Sequence, residues 1–340
     1  MRVLVVTNIF PSKRNPFSGT YVAEQVNAFD SCVSIQVVAK THKSALGLLP
    51  FFVRSAWYCR TAKYDLIHAH YGFHSAIVPV LLAHAPVIIT FHGSDALVEP
   101  QRHWMYRILQ RTVVSRAAHI IAVSEQLQKA LIDGLDADPR KVSVVPCGVD
   151  TDRFRPRPKE QIRSNLGIAQ ESKMALFIGR FTTEKGVDTI RKASENLRNV
   201  EFHFIGDGPI QWAAPNCRFL GALPHSEISE WVNAADVLLL PSQSEGTPVS
   251  VLEALASSIP VICTRVGACP QMISEGVTGL FVPYGDAEAL TNAIRSALFD
   301  MVFDMAQGRQ FVVDKYCLEE TSGKLSKLYA KVLADHTNHV

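Results

Sequence analysis

Short apolar runs recur along the first half of the chain, separated by longer segments that are predicted to be helical. Most of the runs are rich in Val and Ile, and each has the length of a buried strand. The predicted strands are Val3–Val6, Ile35–Ala39, Leu66–His70, Val87–Phe91, Ile120–Val123 and Val142–Pro146, with a helix from about Tyr21 to Phe29 after the first. Strands that alternate with helices in this way predict a doubly wound parallel sheet.

The second half of the chain repeats the alternation. Its predicted strands are Ala175–Gly179, Glu201–Ile205, Val237–Leu240, Val261–Cys263 and Leu280–Val282, and its predicted helices are Lys185–Leu197, Ser226–Ala234, Pro248–Ser257 and Ala287–Phe299. The expected fold class is therefore α/β, with two Rossmann-like doubly wound domains facing each other across a cleft. The expected boundaries are 1–153 for the N-terminal domain, 154–315 for the C-terminal domain, and 316–340 for a C-terminal helix that packs back towards the first domain. The charged, proline-containing segment Asp150–Pro158 is the expected linker.

Two glutamates, Glu245 and Glu253, follow the predicted strand Val237–Leu240 and are eight residues apart. Thr247 is the expected N-cap and Pro248 the expected first residue of the helix that carries Glu253. The second carboxylate would then lie about 12 Å further along the helix axis. Acids so far apart cannot share one proton or one metal ion, but they can hold the two ends of an extended ligand while the helix N-terminus faces an anion. A nucleotide sugar has that shape; two solvated glutamates flanking an ordinary helix are the open alternative.

Composition narrows the class of protein. The chain has 340 residues, 47% of them hydrophobic, which is enough for two folded domains, and its net charge of +2 argues against a nucleic-acid partner. Residues 1–153 carry 16 Lys/Arg against 11 Asp/Glu, so this half is expected to meet something anionic. The seven cysteines are scattered without a Cys-x-x-Cys pair, which is typical of reduced thiols in the cytoplasm. Arg2–Phe10 is too short for a signal peptide, and Ala76–Phe91, the longest apolar region, falls short of a membrane span.

Some residue pairs and clusters imitate metal sites. The candidates are Asp136 with Asp138, Asp150 with Asp152, and the group His68, His70 and His74. The aspartate pairs stand beside a proline or in the expected linker and are predicted to be turn residues. The histidines have no carboxylate or cysteine at ligand spacing, so they are predicted to be structural. No metal site is predicted.

A series of short motifs runs through nearly the whole chain in order. They are Thr90–Asp95, Val145–Asp150, Phe177–Arg180 with Glu184–Gly186, Ile205–Pro209, Glu245–Pro248 with Leu252–Ala254, Pro260–Ile262 with Val266–Gly267, and Gly276 with Gly279. The motifs between Gly179 and Gly279 are specific in combination, and those in the first half are looser. Together they resemble the retaining glycosyltransferase family 4 of GT-B fold, also called glycosyl transferases group 1.

The resemblance implies roles for individual side chains. Arg180 and Lys185 would bind the donor diphosphate, Glu245 the hydroxyls of the transferred sugar, and Glu253 the ribose. His92 would touch the sugar near the reacting carbon. The implied catalytic residues are His92, Arg180, Lys185 and Glu245. The implied donor-binding residues are Gly19, Thr20, Arg180, Lys185, Gly206, Leu223, Gly246, Thr247, Val249 and Glu253.

The resemblance also implies the chemistry. The family is described as retaining and metal-independent, so no metal or other cofactor is expected besides the substrate, a nucleoside-diphosphate sugar. The expected reaction, of EC class 2.4, is transfer of a sugar to a glycan or lipid-linked acceptor in polysaccharide or cell-envelope biosynthesis. UDP is favoured over GDP because Gly221–His225, expected to line the base, contains no carboxylate to accept guanine N–H groups. A sugar-nucleotide epimerase of GT-B fold and a non-catalytic nucleotide-sugar-binding protein are the alternatives.

Two segments of the first half interleave basic and aromatic residues. Pro100–Ala118 holds four arginines and no acid, and Leu46–Lys63 mixes aromatic side chains with arginine and lysine. This composition suits the surface of an anionic membrane that carries a lipid-linked acceptor, and would place a cytoplasmic protein at the inner face of the membrane. Two ordinary amphipathic helices with basic solvent faces are the equal alternative.

Overall fold

The computed structural model describes residues 1–12, 17–40, 47–98 and 104–337. The chain divides into two compact units, one formed by Met1–Gly148 with Leu318–Val340 (unit 1) and one by Val149–Cys317 (unit 2). Each unit is built on its own parallel sheet. The predicted α/β class with two doubly wound domains is confirmed.

Unit 1 contains a sheet of six strands within the described ranges, in the order β2-β1-β3-β4-β5-β6. The strands are Arg2–Thr7 (β1), Ser34–Ala39 (β2), Leu66–His70 (β3), Val87–Phe91 (β4), His119–Ala122 (β5) and Val142–Val144 (β6). The helices that alternate with them are Thr20–Asn27 (α1), Leu48–Thr61 (α2), Gly72–Leu82 (α3), Ser94–Leu97 (α4), Trp104–Arg116 (α5) and Glu125–Leu135 (α6), with a 3-10 turn at Pro139–Lys141. The strands β3 and β4 are buried along their whole length, as expected for a parallel sheet covered on both faces.

Unit 2 contains a second parallel sheet of six described strands, in the order β12-β11-β10-β7-β8-β9. The strands are Lys173–Ile178 (β7), Val200–Ile205 (β8), Cys217–Gly221 (β9), Val237–Leu240 (β10), Val261–Cys263 (β11) and Gly279–Phe281 (β12). The helices are Lys159–Leu166 (α7), Val187–Asn196 (α8), His225–Ala234 (α9), Val249–Ala256 (α10), Cys269–Met272 (α11), Ala287–Phe299 (α12) and Met305–Tyr316 (α13), and a 3-10 turn spans Thr183–Lys185.

The last helix, Leu318–Thr337 (α14), belongs to unit 1. Its apolar face carries Leu325, Tyr329 and Val332, which are buried in one cluster with Val3 of β1 and Leu66 of β3. The end of the chain therefore completes the core of the first unit.

The boundary between the units lies at Gly148, earlier than the expected position at residue 153. The Val149 N–H donates to the Tyr316 carbonyl at 2.9 Å, and the Phe154 side chain is fully buried in the core of unit 2. The segment from Asp150 onward, which was expected to be a linker, is thus part of the second unit.

One strand and three helices of unit 2 were not predicted from the sequence: β9, α7, α11 and α13. The strand β9 lies at the edge of its sheet and is only half-buried, so it has no continuous apolar run. Helix α7 buries a cation, Arg163, which is 3% exposed and donates to the carbonyls of Ala234, Gln170 and Ser172 and to the Asp236 carboxylate. Hydropathy does not reveal such an element, because its buried anchor is charged and fully hydrogen-bonded.

The predicted start of helix α10 is wrong by one position. Pro248 is the N-cap, with φ −74° and ψ 102°, and the helix begins at Val249 rather than at Pro248. The extended ψ at Pro248 is what ends the loop, and its carbonyl accepts the first helical bond from the Val251 N–H at 3.0 Å. Thr247 therefore lies in the loop and does not cap the helix.

Candidate active site

The strand order of unit 2 reverses between β7 and β10. After β7 the chain adds β8 and β9 on one side, and then returns to begin β10 on the other side of β7. The loops that follow two such strands leave in opposite directions and open a crevice at the carboxyl edge of the sheet, where ligands bind in open α/β folds. Arg180 and Lys185 follow β7, and Glu245 follows β10, so these predicted residues flank the crevice.

A salt bridge joins the two sides of this crevice. The Lys185 ammonium lies 2.6 Å from Glu245 Oε1, and the two side chains are 21% and 10% exposed. The loops that carry them are also joined through the backbone, since the Gln243 N–H donates to the Glu184 carbonyl at 2.8 Å. A half-buried cation and a nearly buried carboxylate are therefore held in place at the centre of the switch point.

Gly186 permits the close approach of these loops. Its φ is 72°, and a Cβ atom there would lie 2.0 Å from the Pro241 carbonyl oxygen. Only glycine adopts this conformation without a clash. The glycine next to Lys185 is thus needed to bring the lysine against the loop after β10.

The loop that contains Gly246 packs against the segment that follows strand β11. The Gly246 carbonyl accepts the Ala268 N–H at 2.8 Å, and a Cβ on Gly267 (φ 56°) would lie 2.3 Å from the same oxygen. Thr247, the next residue, is buried with 9% exposure. This packing directs the chain from Glu245 into helix α10.

The first turn of helix α10 has N–H groups free for a ligand. Hydrogen bonds to the Pro248 carbonyl begin with Val251, so the N–H groups of Val249 and Ser250 have no acceptor in the part of the chain that the structure describes. Such groups, together with the helix dipole, favour an anion at this end. The start of α10 follows directly on the Lys185–Glu245 pair.

The second glutamate lies one turn further inside. Glu253 is 4% exposed, and its Oε1 lies 2.7 Å from His225 Nε2. The two predicted carboxylates are thus both in unit 2, on either side of the start of helix α10, and each has a nitrogen partner of its own. The alternative that they are simply solvated glutamates is wrong for this structure, because both side chains are nearly buried.

Three further predicted residues of unit 2, Gly206, Leu223 and Arg180, follow the ends of strands β7, β8 and β9. Gly206 has φ 142°, and a Cβ there would lie 1.9 Å from the Gly179 carbonyl oxygen, so the ends of β7 and β8 touch backbone to backbone. Leu223 is half-buried against the core cluster that includes Leu252 of α10. Arg180 is exposed, and its guanidinium makes no ion pair within the described ranges.

Gly19, Thr20 and His92 lie in unit 1, at the carboxyl edge of the first sheet. Gly19 precedes helix α1 with φ 69°, and a Cβ there would lie 2.8 Å from the Ile9 carbonyl oxygen. Thr20 is the first residue of α1, and the ring of Tyr21 next to it is 5.1 Å from the His92 imidazole. Gly19 and Thr20 thus directly precede Tyr21, whose ring contacts that of His92.

Both ring nitrogens of His92 face protein groups. His92 Nε2 lies 3.1 Å from His70 Nδ1, and His92 Nδ1 lies 4.0 Å from the Cys147 sulfur. The ring is flanked by Tyr71, with centroids 4.8 Å apart. His92 is thus placed at the predicted edge, with its ring inside an aromatic and histidine cluster.

The histidines His68, His70 and His92 stand in a row, with ring centroids 4.1 Å and 5.4 Å apart. Burial lowers the pKa of all three, to about 3 for His70, and the neighbouring imidazoles lower the pKa of His68 and His92 further. His68 Nδ1 pairs with the Tyr329 hydroxyl at 2.6 Å and its Nε2 with Thr90 Oγ1 at 2.7 Å. The lowered pKa values keep these rings neutral at physiological pH. His68 and His70 are buried, in agreement with their predicted structural role. The predicted role of His92 at the sugar stays a prediction.

Two residues of the site, Asp95 and His225, lie in segments that the sequence singled out, but no individual role was predicted for either. Asp95 is 1% exposed and accepts the N–H groups of Gly72, His92 and Gly93, which fixes the loop after β4. The Thr90–Asp95 motif contained this signal. His225, the partner of Glu253, had none, because its contact joins segments 28 residues apart.

The aspartates that imitate metal sites are turn residues, as predicted. Asp136 has φ 56° at the end of helix α6 and pairs with Arg111. Asp138 caps the following 3-10 turn and pairs with Arg140, which lowers its pKa to about 2. Asp150 accepts the N–H of Asp152. No group of three or more potential metal-binding side chains was found in the part of the chain covered by the structure.

Two protein-family models match the chain. The model for Glycosyltransferase Family 4 matches residues 16–153, and the model for Glycosyl transferases group 1 matches residues 172–300. The first match covers most of unit 1, and the second covers the sheet and crevice residues of unit 2.

Bacterial glycosyltransferases are similar to the chain in sequence. The chain is 36% identical over 241 residues to TuaC of Bacillus subtilis strain 168, named as a teichuronic acid biosynthesis glycosyltransferase; the match covers 68% of this chain and 60% of TuaC. It is 30% identical over 306 residues to the D-inositol 3-phosphate glycosyltransferase of Corynebacterium glutamicum strain R, covering 80% of this chain and 73% of that protein. The match thus spans less than two thirds of the length of TuaC.

Solved structures share the fold. Sucrose-phosphate synthase from Thermosynechococcus elongatus superimposes with a TM-score of 0.83 at 20% identity, over 98% of this chain and 99% of that chain. Anabaena Alr3699/HepE in complex with UDP superimposes with a TM-score of 0.80 at 16% identity, over 97% of this chain and 100% of that chain. At these identities the likeness concerns the fold.

Proposed function

The chain belongs to glycosyltransferase family 4, and on that premise we propose that it moves a sugar from a nucleoside-diphosphate sugar to a glycan or lipid-linked acceptor in the synthesis of a polysaccharide or cell-envelope glycan. The carrying observation is the Lys185–Glu245 pair at the switch point of unit 2, directly before a helix start with free N–H groups. This arrangement offers cationic and N–H donors to a diphosphate and a carboxylate to sugar hydroxyls.

The proposed chemistry follows from the charge of the leaving group. The acceptor hydroxyl attacks the anomeric carbon on the face from which the donor leaves, the bond from that carbon to the diphosphate oxygen breaks, and the acceptor proton passes to the departing phosphate oxygen. Arg180, Lys185 and the N–H groups at the start of α10 would stabilise the negative charge that develops on the diphosphate. Attack on the face that the diphosphate leaves retains the anomeric configuration. Because these groups stabilise the charge of the diphosphate, the transfer is proposed to proceed without a metal ion.

UDP is the proposed nucleotide. The segment Gly221–His225, proposed to line the base, contributes no carboxylate that could accept guanine N–H groups, and its histidine is engaged with Glu253. The HepE complexes with UDP and UDP-glucose support a uridine donor in this fold.

A transfer assay tests the function. The intact protein is supplied with UDP- and GDP-sugars labelled in the sugar, with a membrane glycolipid extract as acceptor, and with EDTA in a parallel reaction. We expect label in the acceptor fraction from a UDP-sugar, with EDTA present or absent. Label that remains in an isomerised donor would show an epimerase instead, and a bound but unreacted donor would show a binding protein.

Substitution of Glu253 and substitution of Glu245 are expected to change different kinetic parameters. Glu253→Ala should raise the donor KM about tenfold or more, because it removes a charged hydrogen-bond acceptor from the ribose. Glu245→Ala should act mainly on kcat, because it removes the partner of Lys185 and a contact to the reacting sugar. Steady-state kinetics separate the two effects, with Glu288→Ala, an exposed glutamate of the same unit, as the matched control. Wild-type kinetics in both variants would contradict the assignment.

A membrane contact is proposed for the face of unit 1 that helices α2 and α5 form. The exposed side chains of helices α2 and α5 are apolar as well as basic: Leu49, Val53, Trp57, Trp104, Met105, Ile108 and Leu109 all have more than a third of their surface in solvent. Helix α3 packs between α2 and α5, and neither of the outer helices contains an acid. This composition suits insertion at an anionic interface better than a purely basic solvent face does. No described helix is long and apolar enough to cross a bilayer.

Vesicle flotation tests this contact. The protein is expected to float with vesicles that contain anionic phospholipid, and not with neutral vesicles, because arginines of both helices face solvent. Trp57→Ser with Trp104→Ser should lower the bound fraction about tenfold, since each exposed indole contributes interfacial apolar area. Val302→Ser, which changes an apolar residue with 95% exposure in unit 2, is the control and should bind as wild type. Absence of flotation with anionic vesicles would remove the membrane proposal.

A further inference from the structure

Glu253 is a nearly buried carboxylate with one free oxygen. It is 4% exposed, and His225 Nε2 lies 2.7 Å from Oε1. Within the described ranges, Oε2 makes no hydrogen bond. Because Oε1 is already paired, Oε2 is the oxygen of this carboxylate that is available to accept a hydrogen bond from a ligand.

The histidine that holds Glu253 has its tautomer set by an arginine. Arg153 Nη1 lies 3.0 Å from His225 Nδ1. A guanidinium has only N–H donors, so Nδ1 must be the unprotonated acceptor of this bond. The imidazole proton is therefore on Nε2, where it points at Glu253 Oε1 and is donated to it.

Arg153 is itself held by Asp150, which precedes it by three residues. Arg153 Nη2 lies 3.2 Å from Asp150 Oδ2, and Asp150 Oδ1 accepts the Arg153 N–H at 2.9 Å. The Phe154 ring lies beside the His225 ring, with centroids 5.5 Å apart. A continuous chain of contacts thus runs from Asp150 through Arg153 and His225 to Glu253, and its first members follow directly on the crossing from unit 1 at Gly148.

We propose that Arg153 and His225 are positioning residues, which hold the Glu253 carboxylate with Oε2 directed at the ribose hydroxyls of the donor. The proposal rests on the proposed function, because it assumes a ribonucleotide at Glu253. Both ends of the carboxylate group are then specified: Oε1 is fixed by the histidine and Oε2 is left for the ligand. Recognition of a hydroxyl by a group so placed requires its position to be held within about 0.5 Å. The proposal adds two residues, neither of which touches the donor, to the determinants of ribose selectivity.

The affinity for UDP relative to its deoxy forms tests this positioning role. Isothermal titration calorimetry of the intact protein with UDP, 2′-deoxy-UDP and 3′-deoxy-UDP is expected to show UDP binding about tenfold more tightly than at least one deoxy form, the effect of one hydrogen bond to a charged group. His225→Leu should remove most of this ratio, because the carboxylate loses its anchor. His225→Gln should restore it, since the glutamine amide can donate to Glu253. A residue that only stabilises the fold would change the melting temperature without changing the ratio.

Arg153→Leu gives a second test that leaves the histidine in place. Without the arginine, His225 is no longer fixed in one tautomer, so the ratio of UDP affinity to deoxy-UDP affinity should fall. Arg155→Leu changes an exposed arginine two residues further on and should leave this ratio unchanged. If wild type discriminates but His225→Leu and Arg153→Leu discriminate equally well, the positioning role is overturned while the proposed function stands. If wild type binds no nucleoside diphosphate, the proposed function fails and this role with it.

Discussion

Lys185→Ala is expected to lower kcat about 100- to 1000-fold, the effect of removing one preorganised electrostatic group from a transition state. The lysine lies 2.6 Å from Glu245 Oε1 and is 21% exposed. Its removal takes a positive charge from the proposed position of the diphosphate and also leaves the Glu245 carboxylate, 10% exposed, without its cation. The departing diphosphate would then face an unpaired negative charge.

Steady-state kinetics of sugar transfer measure the effect of Lys185→Ala. Lys192→Ala is the matched control, because Lys192 is an exposed lysine on helix α8 of the same unit. Lys185→Arg should recover part of the loss, since it keeps the charge but not the compact geometry of the ammonium. A kcat for Lys185→Ala within twofold of wild type would show that the lysine does not act on the reacting diphosphate.

Acidification is expected to unfold unit 1. The pKa values of His68, His70 and His92 are lowered in the folded protein, chiefly by burial, and that of His70 lies at about 3. In the unfolded chain these groups take up protons below pH 6.5, while in the folded unit they stay neutral. The unfolded state therefore binds more protons, and stability is lost as the pH falls below 6.5 towards the folded pKa values. Each histidine should lower the free energy of unfolding by about 2 kcal/mol at pH 5 relative to neutral pH.

Urea unfolding at pH 7, 6 and 5 measures this loss, and hydrogen exchange identifies where it occurs. The amides of β3 and β4, which carry or flank the three histidines, should lose protection as the pH falls. NMR of the imidazole carbons gives the control, because these rings should not titrate between pH 7 and 5 as free histidine does. Unchanged stability over this range, or titration of the three rings near pH 6.5, would contradict the prediction.

Four inner strands of the two sheets could be predicted from the sequence to the residue. The bounds of Leu66–His70, Val87–Phe91, Val237–Leu240 and Val261–Cys263 agree with the prediction. Parallel strands covered on both faces are continuous apolar runs, which few other elements imitate. Strand β9 could not be predicted in this way because it is half-exposed at an edge, nor could helix α7, whose buried anchor Arg163 is a cation.

The candidate site could be predicted as a set of residues but not as a set of contacts. The eight-residue spacing of Glu245 and Glu253 indicated two separate acids at the start of a helix, and the structure has them there. Their partners come from elsewhere in the chain: Lys185 is 60 residues from Glu245, and His225 is 28 residues from Glu253. The first contact depends on β10 pairing with β7 across the reversal of strand order, and the second depends on helix α9 packing against helix α10. No local pattern in the sequence shows either arrangement.

Calorimetric titration of UDP into the intact protein is the most direct test of the donor site proposed in unit 2. Wild type should bind one equivalent of UDP, and Lys185→Ala and Glu253→Ala should each bind it at least about tenfold more weakly, because each removes a charged group that is proposed to contact the nucleotide. Lys192→Ala should bind as wild type. Absence of UDP binding by wild type, or wild-type affinity in both site variants, would contradict a nucleoside-diphosphate site at the Lys185–Glu245 crevice.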